Sequence, residues 1–265
     1  MASRKEQKEA ARQRRLEAER AEAAKATRTR NTRIAGALAV AAVGVIVGVV
    51  IATHGGSSSS ASSGPQAALT AKNLGPTSAL GHLAKAGSPG AKGSEGVAVP
   101  SAPPLAPAGS PQPGQSVDGI QCQTGEQTLF HVHTHLTVFV DGKPRQIPYG
   151  VGVAPPRQVQ RTAAGPFVAS GACFSWLHTH AADGIVHIES PIKRQYTLGN
   201  FFDVWGQPLG PNQVGPAHGP VTAFYNGQHY IGNPKDIPIG KHVQIQLDVG
   251  RPLVAPEQIS FPNGL

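Results

Sequence analysis

The stretch "LFHVHTHLTVFVDGK", residues 129–143, constrains this chain more than any other, because its alternation over 129–140 fits an extended strand. Successive side chains in a strand point to opposite faces. His131, His133 and His135 therefore share one face, and Val132, Leu136, Val138 and Val140 share the other. The apolar side must meet a core, which leaves three imidazoles facing solvent, a cleft or a second layer. Asp141-Gly142 reads as a hairpin turn, and "RQIPYGVGV" as the returning strand.

A second stretch, "CFSWLHTHAADGIVHIES", carries His178, His180 and His187. With "AADG", residues 181–184, as a four-residue hairpin loop, His180 pairs with Ile185, His178 with His187 and Trp176 with Glu189. Directly opposed residues have Cβ atoms about 4.5–5.5 Å apart. One face then gathers Phe174, Trp176, His178 and His180 beside Ile185, His187 and Glu189. Neutral imidazole is the commonest metal ligand in proteins and suits zinc and copper. Several imidazoles packed together without a cation repel one another as they charge.

The six histidines 131, 133, 135, 178, 180 and 187 are therefore the candidate ligands of a transition metal, Cu or Zn. They form one site if the two strands adjoin, and two if they do not. Glu189 can serve as a further ligand, as a group that orients a ligand, or as a general base on metal-bound water. Three other readings compete. One is a metal-dependent hydrolase or oxidoreductase with Glu189 as its base. Another is a metal-free module that recognises an envelope protein or glycan. In the last, the histidines simply decorate a sheet. HExxH, GxSxG and P-loop signatures are absent, and cupin spacing does not fit "HTHAADGIVHIE". His54, His82, His218, His229 and His242 are isolated and are expected to play no part.

Further along, "TLGNFFDVWG" predicts a helix. Thr197 can cap it, and Leu198, Phe201, Phe202 and Trp205 form one apolar stripe. "VTAFY" runs into Asn226-Gly227, a second hairpin signal, and "HVQIQLDVG" places Val243, Ile245, Leu247 and Val249 on one face. Two hairpins around a helix predict a mainly β, α+β domain, β-grasp-like, with a β-sandwich as the alternative.

This domain, residues 117–265, is expected at the end of a tether. Residues 1–33 hold eleven Lys or Arg against five Glu, which is +6 of the chain's formal net charge of +8. The basicity therefore belongs to a tail, without the aromatics of a nucleic-acid-binding face, and no nucleic-acid partner is expected. Residues 34–53, "IAGALAVAAVGVIVGVVIAT", carry no charge and are long enough to span a bilayer as one helix. The positive flank predicts a single-pass protein with its N-terminus in the cytoplasm and its C-terminal domain outside. A cleaved signal peptide is the rival, set against by the long leader and long apolar run. Gly44 and Gly48 form one GxxxG, the spacing through which the membrane helix could form a homodimer. Residues 54–116, rich in Ser, Gly, Pro and Ala, are expected to be a disordered linker reaching roughly 40–45 Å. Cys122 and Cys173 are the only cysteines. In an extracytoplasmic domain they most simply form a disulfide, free thiols and soft metal ligands being the alternatives.

Through "HVHTHLTVFVDGK", "CFSWLHTHAADGIVHIESP" and "YTLGNFFDVWGQPL", residues 129–265 resemble an uncharacterised bacterial family of membrane-anchored extracytoplasmic proteins. The tail "ASRKEQKEAARQRRLEAER" is similar to the leaders of actinobacterial membrane proteins, anchored thioredoxin-like ones among them. This chain has no CxxC, so that redox chemistry does not carry over. The resemblance implies extracytoplasmic placement and no particular activity.

Overall fold

A computed structural model describes residues 73–265. The tail, the apolar run 34–53 and the first part of the Ser/Gly-rich segment lie outside the described residues. Among the described residues no helix is long and apolar enough to cross a membrane.

The frame consists of β1 (Leu74–Gly75), β2 (Ile120–Gln123), β3 (Phe130–Val140), β4 (Lys143–Arg145), β5 (Cys173–Ser175), β6 (Leu177–His178), β7 (Ile185–Ser190), α1 (Leu198–Trp205), β8 (Val221–Tyr225), β9 (Gln228–Tyr230) and β10 (Val243–Val249). The alternating segment is one 11-residue strand, β3. Both hairpin turns form where Asp141-Gly142 and Asn226-Gly227 occur, with positive φ at all four residues. Asn, Asp and Gly tolerate that conformation at low cost.

The main sheet runs β1-β9-β8-β10-β3-β7-β6, with β4 also paired to β3. All these pairings are antiparallel except the central one, β3 with β10, which is parallel from Thr134↔Val243 to Val140↔Val249. Helix α1 begins at Thr197, whose hydroxyl accepts from the Asn200 N–H while the Asn200 side chain accepts from the Thr197 N–H. It ends at Gly206 in the left-handed conformation. Its Leu198, Phe201, Phe202 and Trp205 join Leu136, Val138, Val186, Ile188, Ile245 and Leu247 in one buried core. The apolar face of β3 is therefore covered, and its imidazole face is left to something else.

The segment expected to be tether covers part of that face, where Glu95 reaches His187 and residues 86–101 line a cavity with His135, and it packs elsewhere on the domain as well. Residues 73–116 do not form a free linker, which corrects the expected boundary. β1 extends the sheet edge, Leu105 and Ala106 enter the core, and the Trp205 indole N–H donates to the Pro107 carbonyl at 2.8 Å. Prolines hold this stretch extended, and its few Leu and Val side chains anchor it. Composition alone hides such anchors, because the segment has no periodic apolar face of its own. Behind it, Cys122 of β2 and Cys173 of β5 form a disulfide with Cα atoms 5.4 Å apart.

Candidate metal centre

Strand pairing brings the histidine clusters together. β7 pairs antiparallel with β3, setting His187 opposite His133 and Glu189 opposite His131. β6 pairs with β7, setting His178 opposite His187. A single row across three strands thus reads His133, His187, His178, with His131 and Glu189 in the next row. The pairing of His178 with His187 expected across residues 181–184 is present. His180 lies beyond the end of β6, in the connection to β7, and Ile185 pairs with His135 instead.

Four ligand atoms meet first. His131 Nε2 is 3.0 Å from His133 Nε2, and His133 Nε2 is 3.2 Å from His187 Nδ1. His187 Nδ1 lies 3.1 Å from Glu189 Oε1, which lies 3.0 Å from His131 Nε2. These four edges close a ring. A tetrahedral zinc site with bonds of about 2.0–2.1 Å has ligand atoms about 3.3 Å apart, so the observed spacing is within a few tenths of an ångström of one. All four atoms lie within 4.8 Å of one another, and so do those of a second set, His178, His180, His187 and Glu189. These groups could hold a metal ion.

The far ring nitrogens are fixed by protein acceptors. His187 Nε2–H donates to Glu95 Oε1 at 2.6 Å, His178 Nδ1–H to the Ser175 carbonyl at 2.9 Å and His180 Nδ1–H to the Val168 carbonyl at 2.6 Å. Such outer contacts set the tautomer and aim the other nitrogen inward. Phe167 stacks on His180 at 4.9 Å and Phe174 sits edge-on to His178 at 5.2 Å, walling the nest with aromatic carbon. His133, His178, His180, His187 and Glu189 are buried, whereas the His131 side chain is 38 % exposed and opens onto a cleft lined by His133, Lys241, His242 and Leu265.

Electrostatics separate the rings. Burial pushes His133 down to about 3, helped by the nearby His187 and His131. Burial also holds His178 well below its usual value and lowers His180, with neighbouring rings adding to both shifts. His187 goes the other way. Burial alone would lower it, but hydrogen bonds to Glu189 and Glu95 and the charges of both carboxylates outweigh this and push it up to about 9. With no cation present, His187 is therefore an imidazolium clamped between two carboxylates.

Five of the six expected ligands belong to this nest, and His135 does not. Its Nε2–H donates to the Asp183 carbonyl at 3.1 Å, and it lines a separate cavity under residues 86–101 with Phe139, Asp183 and Gln246. The β3–β7 register places Ile185, not a ligand, opposite it. Trp176 packs in the main core and its N–H donates to Gln123 Oε1 at 2.7 Å. Sequence reasoning missed three neighbours. Glu95 lies in the presumed tether, where no periodic signal marks it. Glu126, with Oε1 3.4 Å from His180 Nε2, precedes β3 in a loop. His242 donates its backbone N–H to the His133 carbonyl at 2.8 Å, a neighbourhood created by the parallel β3–β10 pairing. No protein-family model, curated protein or solved structure matches the chain.

Proposed function

We propose that this chain is a membrane-anchored, extracytoplasmic metal-binding protein that holds a transition metal, zinc or copper, through His131, His133, His187 and Glu189. The observation that carries the reading is the closed ring of four ligand atoms at 3.0–3.2 Å, with Glu95 aiming His187 from behind. Three imidazoles and a carboxylate suit zinc or copper(II). Both cysteines are spent on each other, so no thiolate competes. A disulfide also fits an oxidising compartment, in line with the apolar run and basic leader upstream. Hairpin, helix and hairpin, with the first and last long strands paired parallel at the centre, make a β-grasp-like scaffold for the site.

Glu189 stands inside the ligand ring. This favours a binding or metal-handling role over hydrolysis with Glu189 as base. The test is elemental analysis of the full-length chain, purified in detergent and equilibrated with Zn(II) or Cu(II) before desalting. At least one ion per chain is expected, with a loss in His133→Ala. A folded wild-type chain that retains neither metal would overturn the proposal and favour a metal-free recognition module for an envelope protein or glycan.

A further inference from the structure

The second set of ligands has features that the first does not explain. His178 Nδ1 and His180 Nδ1 each face a backbone carbonyl, which can only accept, so each of these nitrogens carries its ring's proton. In the neutral rings the two Nε2 atoms then carry lone pairs, and they face each other at 3.1 Å, with both residues buried. Glu126 Oε1, 3.4 Å from His180 Nε2, adds a further acceptor on the His180 side of the pair. Glu189, buried at 2 % exposure, uses Oε1 in the first ring, while its Oε2 is buried without a hydrogen-bond partner among the described residues. Acceptors have gathered here without a donor. Buried acceptors grouped in this way are costly unless a donor or a cation satisfies them, and a bound metal ion would do so.

Resting on the metal-binding reading above, we propose that the nest holds two divalent transition-metal ions side by side. The first is bound by His131, His133, His187 and Glu189 Oε1; the second by His178, His180, Glu126 and Glu189 Oε2. Glu189 is then a bridging carboxylate, with one oxygen for each ion. The one-row alignment of His133, His187 and His178 across β3, β7 and β6 supplies the side-by-side placement. Carboxylate-bridged pairs of this kind hold their metals about 3.5–4 Å apart.

The full-length chain in detergent, stripped with chelator, is titrated with Zn(II) and its retained metal counted per chain. Two ions are expected in the wild type and one in the His178→Ala/His180→Ala double variant. Loading with Cu(II) gives an independent readout. Two adjacent ions couple magnetically and suppress the spectrum of an isolated Cu(II) centre, which reappears in the double variant. Because that variant removes two buried rings, Glu126→Gln, at a partly exposed position, serves as the gentler probe. It is expected to weaken the second equivalent about tenfold or more and leave the first unchanged. One ion per chain in the wild type, with an uncoupled copper spectrum, overturns the two-ion centre and leaves the metal-binding reading standing. Zero ions overturns both.

Discussion

Glu95 lies in a Ser- and Gly-rich stretch far from the strands, yet its carboxylate receives the His187 Nε2–H at 2.6 Å, with both side chains buried. In the metal-free protein that contact and the matching one from Glu189 hold His187 at about 9, against an ordinary value of 6.5. A group whose folded value is raised stabilises the fold fully below its unfolded value, and that stabilisation is lost as pH rises through the folded value. The window here runs from 6.5 to about 9. A shift of this size is worth roughly 3 kcal/mol at pH 6 at about 1.4 kcal/mol per unit, and Glu95→Gln removes about half of it. For a domain of this size, 1 kcal/mol moves Tm by about 2–4 °C, so the variant should melt about 5 °C lower at pH 6. The gap should close by pH 9.5, where His187 is neutral in both proteins. Thermal melts followed by circular dichroism, with EDTA present and the disulfide intact, measure this. A gap equal at the two pH values would show that Glu95 acts by packing alone. No gap at pH 6 would refute the clamp.

Three further outcomes are expected. Replacing Cys122 and Cys173 with Ala opens a loop spanning 51 positions; the chain-entropy model puts the loss at about 4 kcal/mol, seen as a Tm drop of roughly 10 °C. Burial pushes His135 down to about 4, so the unfolded chain binds the extra proton between pH 6.5 and 4 and the stability this residue contributes above 6.5 is lost across that interval; in chelated protein His135→Gln should lessen the fall in urea unfolding free energy between pH 7 and 4.5 by up to about 2.5 kcal/mol. Gly152 has φ +72° and its hypothetical Cβ would lie 2.3 Å from the Leu177 carbonyl oxygen, next to His178; Gly152→Ala should cost at least about 1–2 kcal/mol in urea unfolding and reduce zinc retention by displacing β6.

What the chain revealed in advance was what local periodicity encodes. The period of two over Phe130–Val140, the Asp-Gly and Asn-Gly turns, the capped apolar stripe of α1 and the His178–His187 pairing are all set by residues within about fifteen positions of each other. The assembly of the nest depends on longer reach. That β7 adds directly to β3 merges the two histidine clusters, and its register decides that His131, and not His135, joins Glu189. The parallel pairing of β10 that brings up His242 has no turn to announce it. Glu95 was out of reach for a further reason. A proline- and glycine-rich segment can be held extended by scattered hydrogen bonds to a folded neighbour, such as Leu105 N–H to the Gln146 carbonyl, and composition cannot distinguish this from a solvated tether.

The uneven exposure of the nest has a kinetic consequence. Only one of its rings, His131, reaches water to any extent; the others are sealed beneath strands, aromatic carbon and the 73–116 segment. An ion held by the His131, His133, His187 and Glu189 ring would let go of His131 first. A competing chelator would then take its place at the rim while the deeper ligands still held, and transfer would begin without the fold coming open.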